Sequence, residues 1–119
     1  MMQHEERLAG VHPDLVRIVR RVAAEGADFL VAEGLRTKER QAQLVKEGKS
    51  KTLNSRHLTG HAVDLWPVPT DWKDWNSFAN LANKVKAAAS QAGVAIEWGG
   101  DWKSFKDGPH YQLPWKDYP

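Results

Sequence analysis

A chain of 119 residues without cysteine can bury one core and close no disulfide, so thiolate metal sites and cysteine nucleophiles are excluded together. Any metal site must draw on His, Asp or Glu, the donor set of catalytic zinc more than of structural zinc. The net charge is only +2 and its signs are mixed along the chain, which leaves nucleic acid no basic stripe to follow.

No stretch reaches the length of a membrane span, and the opening MMQHEERLAG lacks the apolar segment of a signal peptide. With no repeat and no linker, one domain over residues 1–119 is expected. His12-Pro13-Asp14 opens a helix, carried on by Leu15, Ile18, Val19, Val22 and Ala23 at helical spacing and stopped at Gly26. Phe29 to Ala32 reads as a buried strand. Thr37 caps a second helix over Lys38 to Glu47, ended by Gly48, and the polar run from Lys49 to Ser55 is a loop. Ala62 to Trp66 is a strand closed by Pro67 and Pro69. A third helix starts near Asp71, with Trp75, Phe78, Ala82, Val85 and Ala89 on its buried stripe and Gly93 at its end. Val94 to Trp98 and His110 to Leu113 are the last strands, joined by too short a segment for a helical crossover and therefore antiparallel. The fold class is α+β, a small antiparallel sheet with packed helices. Six tryptophans are many for this length; some belong in the core and some can line a groove.

Chemistry concentrates in Ser55-Arg56-His57-Leu58-Thr59-Gly60-His61-Ala62-Val63-Asp64. The spacing of His57 and His61 is that of zinc peptidases with both histidines on one helix. Leu58 stands where that arrangement needs its glutamate, however, and Gly60 interrupts the helix. A strand reading fits better. Asp64 shares a face with Ala62 and Trp66, and the Thr59-Gly60 turn folds His57 back beside it. His61 faces away and is assigned a supporting role. Asp is disfavoured in strands, and a buried carboxylate needs a cation or several donors. The second segment, Asp107-Gly108-Pro109-His110, sets a carboxylate three residues before a histidine across a rigid turn. Alone it is a weak signal. Together the segments offer His57, Asp64 and His110 as metal ligands and Asp107 as a base.

The pattern at Ser55, His57, Gly60, Ala62 and Asp64, followed far downstream by Asp107 and His110, resembles the LAS-type zinc peptidases of the D-alanyl-D-alanine peptidase family. That family includes vancomycin-resistance D,D-peptidases and phage L-alanyl-D-glutamate endopeptidases. Gly34-Leu35-Arg36-Thr37, followed by Glu39-Arg40-Gln41, is similar to its upstream motif, and the likeness runs from about Leu15 to Leu113. The resemblance implies the D,D-peptidase-like fold, zinc on His57, Asp64 and His110, Asp107 as base, and Arg36 holding a substrate carbonyl or carboxylate. Ser55 is either a substrate contact or a turn residue. D,D-peptidases carry Glu at the base position; Asp107 is nearer the phage endopeptidase branch, with Glu97 as the alternative base.

The implied activity is hydrolysis of the L-alanyl-D-glutamate bond in peptidoglycan stem peptides, as in a phage endolysin. The rivals are a D-alanyl-D-alanine carboxypeptidase and a non-catalytic zinc-containing wall-binding or virion protein. Asp107 beside His110 speaks against the latter, since a structural zinc needs no base. A monomer is expected, and 119 residues leave no room for a separate wall-binding domain. The protein would be made in the host cytoplasm and reach the periplasmic wall once the inner membrane is permeabilised, without stable membrane association.

Overall fold

Helices form where the sequence supplies a cap followed by an apolar stripe, and the computed structural model describes residues 1–119. Helix α1, Pro13–Ala24, starts behind His12, whose Nδ1 accepts from the Asp14 amide at 3.1 Å. Helix α2, Lys38–Lys46, is capped by Thr37, whose hydroxyl accepts from the Arg40 amide at 3.0 Å. Helix α3 spans Trp75–Ala92 and begins later than the expected Asp71. Asp71 closes a turn of its own, its carboxylate accepting from the Lys73 amide at 2.9 Å, and Asp74 becomes the cap. Trp75, expected on the buried stripe, is 45% exposed; the stripe proper is Phe78, Leu81, Ala82, Val85, Ala88 and Ala89.

Five strands make one sheet: β1 (Met2–Gln3), β2 (Phe29–Glu33), β3 (Ala62–Pro67), β4 (Glu97–Trp98) and β5 (His110–Gln112), in the order β1-β2-β3-β5-β4. All neighbours are antiparallel except the β1–β2 pair, which is parallel. Strand β1 carries no hydrophobic pattern to announce it; the Met1 ammonium anchors it on the Ala27 carbonyl at 2.9 Å and on the Asp28 carboxylate. The strand expected over Val94 to Trp98 shrinks to Glu97–Trp98. The Val94 amide is already spent on the Ala89 carbonyl, at 2.9 Å, in the turn that ends α3.

Strand alternation sorts side chains between the two faces. Val31, Val63, Leu65, Tyr111 and Trp98 join the core that α1 and α3 cover. Glu33, Asp64, His110 and Gln112 belong to the opposite face. Three short 3-10 segments, Glu5–Leu8, Arg56–Thr59 and Gly99–Asp101, fill the connections; each is too short for periodicity to reveal.

Gly60 ends the Arg56–Thr59 turn in the left-handed region at φ 76°, and its carbonyl accepts from the His12 amide at 2.8 Å. A Cβ there would run into the Gly10 carbonyl oxygen. Gly60→Ala is therefore expected to destabilise the fold by roughly 2–5 kcal/mol, from left-handed strain plus overpacking. Denaturant unfolding measures this, and a loss well under 1 kcal/mol contradicts the close approach.

Candidate active site

The site is built on a row of paired residues. Asp64 of β3 stands opposite Glu33 of β2 on one side and His110 of β5 on the other. A bulge in β2 between Val31 and Glu33 makes the first pairing, since an unbroken register would bring Ala32 opposite Asp64. His57 reaches the row from the 3-10 turn, as the Thr59-Gly60 turn implied. Its Nε2 lies 3.2 Å from Asp64 Oδ1, and His110 Nδ1 lies 3.3 Å from the same oxygen.

The outward nitrogens decide the tautomers. His57 Nδ1 is 2.8 Å from the Gly34 carbonyl oxygen, which can only accept, so Nδ1 carries the proton and Nε2 presents a lone pair. On β5, Gln112 Nε2 donates to Glu97 at 3.1 Å, which turns Gln112 Oε1 toward His110 Nε2 at 2.7 Å. His110 Nε2 therefore donates, and Nδ1 is the atom facing Asp64. Two imidazole lone pairs and a carboxylate oxygen thus converge, one ligand atom from each residue lying within 4.8 Å of the others. With neutral rings, three acceptors face one another with no donor between them. A cation resolves this, and two imidazoles with one carboxylate are a donor set that holds zinc with a coordination position left open.

Titration follows the same logic. Burial works to raise the Asp64 pKa, but hydrogen bonds from His110 and His57 and their charges win, holding the carboxyl well below the usual range. Burial works to lower His110, but the Asp64 hydrogen bond and charge outweigh it and raise the ring. Asp107 goes the other way: burial first, then the negative charge of Asp64, raise its pKa. Its amide donates to the Gly99 carbonyl at 3.0 Å and its carbonyl accepts from the His110 amide at 3.2 Å, so the backbone seats it beside the ligand. Its carboxylate makes no hydrogen bond to the three ligand-type residues and borders the groove. A Cβ on Gly99 would collide with the Asp107 carbonyl oxygen, so this approach requires glycine.

The groove has a volume of about 740 Å³, and Arg36, His57, Asp64, Asp107 and His110 are among the residues that line it. Arg36 is not a surface residue, for its side chain is only 8% exposed. Its Nε donates to Glu33 at 2.9 Å, one terminal nitrogen donates to Gln41 at 2.7 Å, and the other pairs with Glu33 and lies 3.7 Å from Asp64 Oδ2. Ser55 lines the groove and also caps the 3-10 turn, its hydroxyl accepting from the His57 amide at 3.2 Å. Glu97 lies behind His110 and outside the groove lining, bound to Gln112. His61 is turned away from the trio, its Nδ1 2.6 Å from the Thr59 hydroxyl and its ring 5.4 Å from that of His12. Among the aromatics near His110, Trp102 borders the groove, with its ring 5.2 Å away; Trp98 and Tyr111 are core.

Sequence reasoning missed the supports. Buried Gln41 holds Arg36 and donates to Ser50 at 2.8 Å. Arg56 donates to the Leu113 carbonyl at 2.8 Å and stacks on Trp115 at 4.0 Å, tying the His57 turn to the C-terminal segment. Glu33 and Gln112 complete the set. Of these, only Gln112 carried a local signal: it sits two residues beyond His110, on the same strand face.

The profile of the phage L-alanyl-D-glutamate peptidase family matches residues 2–113. The L-alanyl-D-glutamate peptidase of Listeria phage A118 is 39% identical over 95 residues, which cover 80% of this chain and 34% of that protein. The chain thus spans about a third of that relative's length. The enzyme of the same name from Escherichia phage T5 is 31% identical over 110 residues, covering 87% of this chain and 80% of its own. Among solved structures, the L-Ala D-Glu endopeptidase ChiX of Serratia marcescens superposes with a TM-score of 0.92 at 48% identity, covering 100% of this chain and 94% of that one.

One divalent cation per chain is expected at His57, Asp64 and His110. The ion needs the neutral ring, so the raised His110 pKa brings proton competition in above the ordinary 6.5, and affinity falls as pH drops. Calorimetric titration with zinc at about pH 8 and about pH 6 is expected to show a loss of roughly tenfold or more. His57→Ala should bind no stoichiometric ion, and full loading of that variant excludes this ligand set.

Proposed function

The chain belongs to the phage L-alanyl-D-glutamate peptidase family, and on that footing we propose that it hydrolyses the bond between L-alanine and D-glutamate in peptidoglycan stem peptides. One observation carries the proposal. A single groove holds a three-donor set with both imidazole tautomers fixed, a carboxylate without side-chain partners, and a pre-oriented guanidinium.

His57, Asp64 and His110 hold zinc in this reading. Such an ion supplies Lewis acidity toward a carbonyl oxygen and toward water. Asp107 takes a proton from the attacking water and gives it to the leaving amine nitrogen, as the C–N bond breaks and the new C–O bond forms. Arg36 is held by Glu33 and Gln41, so its remaining donors meet the oxyanion or a neighbouring carboxylate without reorganising. Ser55 fixes the His57 turn and offers the substrate a polar edge.

No helix is long and apolar enough to cross a membrane. The proposed setting is release from the host cytoplasm onto the periplasmic wall after the inner membrane is breached. Mass spectrometry of digested sacculi tests the bond assignment. Peptides beginning at D-glutamate are expected, and release of terminal D-alanine alone would assign the carboxypeptidase reading instead.

Asp107→Ala is expected to lose about 10² to 10⁴ in kcat while zinc content and folding persist. In the wild type the working form is the carboxylate, so kcat/KM should fall as pH drops and Asp107 takes up a proton. A dead Glu97→Ala beside an active Asp107→Ala would move the base to Glu97. Arg36→Lys keeps the charge and loses the fork; kcat/KM is expected to fall by about 10²–10³ with zinc content intact. Near-normal turnover of Arg36→Lys contradicts the anchoring role.

A further inference from the structure

An aromatic face beside the Asp107 turn takes no part in the steps above. Trp72 and Trp75, in the segment that enters α3, are 59% and 45% exposed. Their rings are packed in place. Trp72 stacks on Phe78 with centroids 5.3 Å apart and meets Trp66 edge-on at 5.0 Å; Trp75 leans on Trp98 at 5.6 Å. Fixed indoles that leave so much surface in water mark a binding face more than a core, because burial would otherwise be favourable. With Phe78, Lys106, Asp107 and Pro109 they line a second cavity of about 270 Å³. Lys106 and Asp107 line this cavity and the main groove alike, so the two meet at the proposed base.

Rigid aromatic faces beside one lysine and one carboxylate suit a ring with C–H bonds on its flat side and hydroxyl or acetamido groups at its edge, which describes an N-acetylated hexosamine. Substrate connectivity points to the same occupant. In peptidoglycan the first stem residue, L-alanine, is amide-linked to the lactyl group of a muramic acid. The scissile L-alanyl carbonyl is thus separated from the sugar by about two residue lengths, roughly 7 Å when extended. A cavity that Asp107 itself borders is where such a sugar arrives. We propose that Trp72 and Trp75 form a saccharide subsite that holds the glycan strand next to the peptide being cut. This rests on the L-alanyl-D-glutamate reading.

The test compares two substrates: a disaccharide-linked stem peptide, and the same peptide with an N-acetylated L-alanine and no sugar. Trp72→Ala is expected to raise KM on the first about tenfold relative to the second, and Trp72→Tyr, which keeps an aromatic face, to recover most of that difference. Equal KM changes on both substrates, or none on either, overturn the subsite. Since Trp72 also packs on Phe78, thermal melts accompany each variant, and wild-type binding gives a readout that needs no variant. Glycan strands stripped of peptide should quench or shift the wild-type tryptophan fluorescence saturably. If the wild type cuts neither substrate at L-alanyl-D-glutamate, the functional reading fails by itself; saturable binding of the bare strands then still supports the subsite, and its absence overturns it.

Discussion

Everything in the groove depends on where Asp64 is forced to sit. A carboxylate in the middle of a sheet, flanked by Val63 and Leu65 that face the core, has little water to solvate it. Nε2 of His57 and Nδ1 of His110 both lie at hydrogen-bond distance from one of its oxygens. That arrangement is stable only with positive charge at its centre, whether a proton or a metal ion, because three acceptors otherwise oppose each other. The β3–β5 register and the His57 turn bring those atoms together, and the β2 bulge sets Glu33 opposite Asp64.

Backbone contacts set the tolerances. Gly60 lets the His57 turn press against the Gly10 carbonyl, and Gly99 lets the Asp107 segment press against the end of β4. Side-chain amides set the chemistry. Gln112 fixes the His110 tautomer because Glu97 fixes Gln112, and Gln41 holds one end of Arg36 while Glu33 holds the other. Side chains oriented in this way would lose little freedom if an ion bound them.

The two faces of the sheet divide the labour. The helix-covered face supplies the stability through a cluster of 21 buried apolar residues. The other face is left to short irregular segments, whose contacts are polar or aromatic. Lys51 on one lip of the groove lies over the Phe105 ring of the other at 4.8 Å. Arg56 on Trp115 fastens the turn that carries His57.

The helices α1 and α2, the strand of Asp64, the antiparallel last pair and the α+β class were legible from the sequence, because caps, apolar spacing and proline or glycine stops are local signals. The convergence of His57, Asp64 and His110 was legible because their spacing around two turns is local and a carboxylate has few other uses in a buried strand. Trp75 was misjudged as stripe, since helical spacing says which residues share a face but not where the covering elements end. The start of α3 was misplaced because Asp71 and Asp74 are both good caps, and only the competing turn chose between them. Strand β1, the bulge that pairs Glu33 with Asp64, and the roles of Gln41, Arg56 and Gln112 were decided by the tertiary structure alone. Each depends on a partner far away in the chain, and a polar side chain gives no periodic sign of the distant group it will satisfy.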